Sequence, residues 1–329
     1  MSVVGRACGR QPWRGAGLTL FNAWRWLAGG CAGLVCLCLL FASPAFSARV
    51  TVVLSNDSAP YQEVYQAMRA MLDDSGHELV RVYAENLPTA APGDAQLVVA
   101  VGTAAAEALA GMPGRTPVLA VLVPRAWYAQ SGQQRLGDGR RAVSAIFLDQ
   151  PFERQARLIR LALPDVRRVG ILLSAEQRGL VDDIDAALRS QKLQMVHVSL
   201  EPGERLALPL ETVFAESDML LAVPDPRVFN SNTAQSLFLT SYRYRDPVMG
   251  YSRSLTRAGA LLSLHSSPAQ IGRQAVEWIN GVLSGAMPRL PAASYPAYFS
   301  VSVNEQVARS LGFVLLPESE LEKRLGGGR

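Results

Sequence analysis

Beyond position 47 the chain has no cysteine; its four are Cys8, Cys31, Cys36 and Cys38. Disulfide frameworks, thiolate zinc sites, iron–sulfur clusters and cysteine nucleophiles are therefore excluded from the main body. Lysine is almost missing too, with only Lys192 and Lys323. That argues against a Schiff-base lysine or a lysine phosphate clamp. The histidines His77, His197 and His265 lie far apart, and none forms a ligand-spaced pair, so no metal is expected. No G-x-G-x-x-G run follows a strand-like segment and no Walker motif occurs, so no cofactor is expected. Arg6, Arg10, Arg14 and Arg25 are the only charged residues before position 48, and without them 28 basic residues face 28 acidic ones. A neutral body offers neither a broad nucleic-acid surface nor a polybasic membrane patch.

What is present begins with an arginine-bearing, acid-free start and the uncharged run WLAGGCAGLVCLCLLF at 26–41, followed by ASPAFS. This pattern reads as a secretory leader over 1–47, cut before Ala48, with small Ala45 and Ser47 at the positions a leader peptidase must accommodate. At a rise of about 1.5 Å per residue, the run falls short of a hydrocarbon core of roughly 30 Å. An uncleaved anchor and lipid attachment at Cys31 are the other readings. Export of a thiol-free, neutral protein points to the periplasm.

From Arg49 onward short β-branched runs alternate with amphipathic segments, which predicts parallel sheets flanked by helices. Strands are expected at 50–54, 79–83, 97–101 and 118–123, with a helix from Thr103 to Ala110 whose N-cap is Thr103. The polar stretch 130–141 reads as a surface loop. A second unit follows, with strands at 142–148, 169–173, 195–200, 219–223 and 248–251 and helices after Phe152, Leu180 and Thr233. The remainder, with strands near 260–264 and 299–303, is too small for a third domain and most easily completes both sheets. The expected fold is α/β, two Rossmann-like lobes joined by a multi-strand hinge, with 48–144 and 258–292 in lobe 1 and 145–257 and 293–325 in lobe 2. A cleft lies between such lobes.

Ligands of open α/β sheets bind beyond the carboxyl ends of the strands. There the chain places Asn56, Ser58 and Thr103 in the first lobe, near Pro124 and Arg125, and Ser174, Asp225, Asn230 and Ser252 in the second. Tyr61, Phe229 and Tyr251 stand near the same ends and could stack on a flat ligand. Each residue has an ordinary reading as a turn, cap or core group; the set is the better evidence. A solute carboxylate would suit the helix start at Thr103, and an amine would suit Asp225. Replacing Asp225 by Asn is then expected to weaken binding of an amino-bearing solute while leaving the melting temperature nearly unchanged. The acidic pair Asp182–Asp183 reads as a solvated helix face. No catalytic residue is assigned: GYSRS at 250–254 starts like a nucleophile elbow, yet Ser254 stands where glycine is needed.

Four pieces, ALPDVRRVGILLS at 162–174, MLLAVPDPRVFN at 219–230, the run from Asp246 to Gly285, and FSVSVNEQVARSLGFVLLPES at 299–319, occur in an order that resembles the substrate-binding proteins of ABC-type transporters. These belong to the periplasmic-binding-protein type I group, which includes aromatic-amino-acid binders. The likeness runs from about 145 to 316. In RRAVSAIF at 140–147 only Ser144 keeps a role comparable to that family's crossover segment, and the family's acidic–asparagine pair is spread over Asp225 and Asn230. The resemblance implies an exported receptor that closes on a small polar solute and presents it to a membrane permease. A periplasmic adaptor serving a membrane sensor uses the same cleft, and an exported α/β hydrolase using Ser252 and His265 is the third reading.

Overall fold

The structure is a computed structural model that describes residues 48–87, 93–230 and 232–326. The expected leader lies outside the described residues. Along the chain the first lobe runs β1 (Arg49–Leu54), α1 (Ala59–Leu72), β2 (Glu78–Tyr83), β3 (Leu97–Val101), α2 (Thr103–Ala110), β4 (Val118–Val123), α3 (Arg125–Trp127), α4 (Gln133–Gly137) and β5 (Val143–Phe147). The second runs α5 (Phe152–Ala162), β6 (Arg168–Ser174), α6 (Val181–Ser190), β7 (Gln194–Leu200), α7 (Ala207–Glu216), β8 (Met219–Leu221), α8 (Ala234–Tyr244), β9 (Val248–Gly250), α9 (Arg253–Ala258) and β10 (Leu262–His265). The tail adds α10 (Pro268–Leu283), β11 (Ser300–Val303), α11 (Glu305–Leu311) and α12 (Glu318–Leu325).

Among the described residues the strands form two sheets, ordered β2-β1-β3-β4-β5 and β11-β10-β9-β8-β6-β7. Strands β1, β3 and β4 are apolar nearly throughout and buried, as strands covered on both faces must be. One face of the first sheet packs Val50, Val52 and Leu54 against Val64 and Met68 of α1 and Ile271, Ala275 and Ile279 of α10. The other carries Ala105, Ala106 and Leu109 of α2 with Leu136 of α4. Each fully buried Val or Leu contributes about 1.5–3 kcal/mol. Helices α1 and α10 approach so closely that a Cβ on Gly272 would lie 3.0 Å from the Val64 carbonyl oxygen. The second sheet is sandwiched in the same way, with α5, α6 and α12 on one face and α7 and α8 on the other.

Three lobe assignments made from the sequence are corrected by the pairing. β5 bonds in parallel to β4, so the first sheet extends past residue 144. β10 pairs with β9 and with β11, which places 262–265 in the second sheet. Ser294, expected in lobe 2, bridges Ile146 of the first sheet. The polar stretch 130–141 is also more ordered than its composition suggests: π-helical turns over Tyr128–Gly132 lead into α4, whose Leu136 is fully buried.

Among the described residues the chain passes between lobes at 148–151, 266–267 and 296–299. Side chains lace these three crossings together. The buried Gln150 amide donates to Ser266 Oγ at 2.8 Å and accepts from Arg154 at 2.6 Å. Ser266 donates in turn to the Tyr298 carbonyl, and Arg154 reaches the Pro296 carbonyl at 3.1 Å. The Arg154 guanidinium also covers the Phe299 ring at 4.2 Å.

Candidate functional site

The carboxyl ends of the strands carry the residues singled out from the sequence, and the structure sorts them into small groups. After β1, the exposed Asn56 accepts the Ser58 N–H through Oδ1 at 2.9 Å, closing the turn into α1. Ser58 is the N-cap of α1, although its side chain accepts no capping bond. Tyr61 lies over Gly102, where a Cβ would stand 2.8 Å from its ring.

Gly102 rather than Thr103 is the N-cap of α2, with φ 86°, and Thr103 is the first helical residue. The orphan donor of that helix start is taken by Ser55 from another loop: its Oγ accepts the Ala105 N–H at 3.0 Å and donates to the Val101 carbonyl at 2.9 Å. A residue fifty positions away supplies the cap, which local reading of 103–110 misses.

In the second lobe, Ser174 and Asp225 are brought together by a bond from the Ser174 backbone. Asp225 is 2% exposed. Its Oδ2 accepts the Ser174 N–H at 2.8 Å and its Oδ1 the Arg227 N–H at 3.0 Å. Backbone donors of its own lobe thus take one lone pair on each carboxylate oxygen, which gives Asp225 a structural part beside the one expected of it toward a solute amine. Glu176 beside it is held below the usual carboxylate range by its own backbone N–H, by Ser174 and by Arg227, which pairs with it at 2.9 Å.

Asn230, Tyr251 and Ser252 do share one space. They line, with Phe229, Leu237 and Phe238, a mostly apolar cavity of about 300 Å³ at the ends of β8 and β9. Phe229 and Tyr251 meet edge to face at 6.1 Å, a favourable aromatic geometry. Burial, reinforced by the nearby Asp225 charge, raises the Tyr251 phenol above its ordinary value and keeps it neutral. Asn230 is partly committed, since its Oδ1 accepts from Asn232 and Thr233 and its Nδ2 donates to the Pro226 carbonyl. Ser252 accepts the Leu255 N–H as the N-cap of α9. His265 bonds Ser302 through Nε2 at 2.9 Å rather than Ser252. Among the described residues no group of His, Cys, Asp or Glu could hold a metal ion.

Sequence reading passes over the pair that reaches from lobe to lobe. Arg125, just past β4, extends Nη1 to Asp183 Oδ2 on α6 at 3.0 Å. Asp182–Asp183 has the pattern of a solvated helix face, and nothing local reveals that a second lobe stands opposite it.

The family described as ABC transporter substrate binding protein matches residues 75–323. No curated protein matches the chain. Among solved structures, a ligand-free, open substrate-binding protein with adhesive properties from Clostridium difficile is similar at a TM-score of 0.67 and 14% identity, over 83% of this chain and 97% of that one. An ABC domain from Streptococcus pneumonia in complex with L-Trp gives 0.57 and 18%, over 83% and 98%. A conserved domain protein from Vibrio cholerae gives 0.59 and 19%, over 84% and 97%. At these identities the likeness is one of fold, the periplasmic-binding-protein type I arrangement of two α/β lobes. The matched span covers well over half of the sequence, and the chain belongs to the ABC transporter substrate-binding protein family.

Proposed function

We propose that this protein is an exported receptor that captures a small polar solute between its lobes and delivers it to an ABC-type membrane permease. The observation that carries the reading is the pairing of two sheets across three laced crossings, with polar groups at the carboxyl strand ends of both. Such a hinge lets two rigid bodies close on a ligand, and differential affinity of the open and closed forms supplies the drive without a covalent step. Asn56, Ser58 and Thr103 would face the solute from one lobe. Asn230, Ser252 and the Phe229–Tyr251 cavity would face it from the other, where an apolar or flat part of the solute fits. Ser174 and Asp225 would stand at the same rim, Asp225 with a lone pair left on each oxygen after its two backbone bonds. The periplasmic location rests on the leader-like start of the sequence.

The test is a thermal-shift screen of the full chain against amino acids, nucleosides, vitamins and sugars, followed by calorimetry on any hit. A true solute at a hundred times its dissociation constant stabilises by about 2.7 kcal/mol. One chemical class should raise the melting temperature, Tyr251→Ala should weaken that rise, and the loaded receptor should stimulate ATP hydrolysis by its reconstituted permease. Turnover of the hit compound, or no shift with any class, would overturn the reading.

A further inference from the structure

The last residues of β4 depart from regular strand geometry. Leu122, a buried non-glycine residue, has φ 54°, and the pairing of β4 with β5 slips between Val121 and Val123. A bulge of this kind bends the strand and re-aims the residues beyond it, at a cost that persists only where the surroundings enforce it. Pro124 and Arg125 are the residues so aimed. The Arg125 N–H donates to Asp149 Oδ2 at 2.6 Å, which ties its backbone to the first crossing. Its guanidinium pairs with Asp183 of the opposite lobe at 3.0 Å.

We propose that Arg125 and Asp183 form a clasp between the lobes, which draws the solute-free protein toward the lobes-together arrangement and must part for the cleft to open. The two side chains are 41% and 53% exposed. At such exposure an ion pair shifts an equilibrium by roughly two- to fivefold. That bias is strong enough to populate a partly closed form and weak enough for a solute or a partner to override. The other carboxyl group near Arg125, that of Asp149, lies in the first crossing, so of the two only the pairing with Asp183 reaches α6 of the second lobe. The proposal relies on the two-lobe receptor reading only for its purpose, since the clasp is measured with no solute present.

The test compares the solute-free full chain with Arg125→Gln, Asp183→Asn and the exchanged pair Arg125→Glu/Asp183→Arg, by small-angle scattering and amide exchange at 148–150 and 297–299. Each single variant should enlarge the radius of gyration and speed exchange at those amides roughly two- to fivefold, and the exchanged pair should restore both. Molar salt, with a screening length of about 3 Å, should move the parent toward the single variants and leave those variants unmoved. Single variants indistinguishable from the parent, an exchanged pair as open as they are, or an equal salt response in all proteins would overturn the clasp. None of these readouts involves a solute, so failure to find one leaves this result intact.

Discussion

Asp225 accepts the backbone N–H of Ser174 at 2.8 Å, and this bond fastens the end of β6 to the loop after β8. A side chain thereby does what the ladder cannot at the point where the two strands diverge. Asp225→Asn puts an amide N–H against one of two buried backbone donors. We expect a loss of about 1–3 kcal/mol and a melting temperature lower by several degrees, read by calorimetry. A melt equal to the parent's would leave Asp225 without a structural part, as a solute ligand alone.

Gly102 combines φ 86° with a site where a Cβ would stand 2.6 Å from Ser55 Oγ and 2.8 Å from the Tyr61 ring. Gly102→Ala must strain the backbone, displace the hydroxyl that caps α2, or push Tyr61 aside. A destabilisation of about 1–3 kcal/mol is expected. Faster amide exchange in the first turn of α2 should accompany it, since Ala105 loses its acceptor.

Asp246 should make stability depend on mild acid. Burial, with the nearby Asp218 charge, pushes its carboxyl from 3.8 up to about 6. The folded protein thus holds a proton more tightly there than the unfolded chain. This contribution to stability is fully present below about pH 4 and is lost as the pH rises through about 6. Asp246→Asn removes the charge that folding disfavours. Discounted for partial exposure, the gain at about pH 7 is on the order of 1 kcal/mol, and it should vanish near pH 4. Denaturant melts of parent and variant at the two pH values check this.

Gln150 binds both Ser266 and Arg154. Gln150→Ala should leave the packing of each lobe intact yet unlace the hinge, at a cost of about 1–3 kcal/mol. Exchange should quicken at 148–150 and at 266–267, with little change in β1 or β6. Uniform loss of protection across both sheets would show instead that Gln150 supports the core.

The strands are legible in the sequence because their signal is local. RVTVVL at 49–54 and RVGILLS at 168–174 are apolar runs suited to buried parallel strands, and they form them. Helix α11 is visible through Asn304, whose side chain caps Gln306 and Val307, and Gly312, which ends it at φ 81°. Helix α7 is not, because Pro209 in its first turn looks like a breaker, although a first turn tolerates proline. Of the expected solute groups, Asn230, Tyr251 and Ser252 meet at one cavity, whereas Asp225 lies outside its lining and accepts two backbone N–H groups.

Composition and periodicity alone determined that this protein is built of α/β units, lacks thiol chemistry in its body and presents polar residues where strands end. Those properties reside in single segments a few residues long. Tertiary structure alone decided that 262–265 joins the second sheet, that Ser55 caps a helix fifty positions later, that the Asp225 carboxylate accepts the Ser174 N–H, and that Arg125 meets Asp183. Each of these depends on which distant backbone lies opposite a given side chain. Pairing of that kind is set by the packing of whole sheets and helices, and nothing in the neighbouring sequence encodes it.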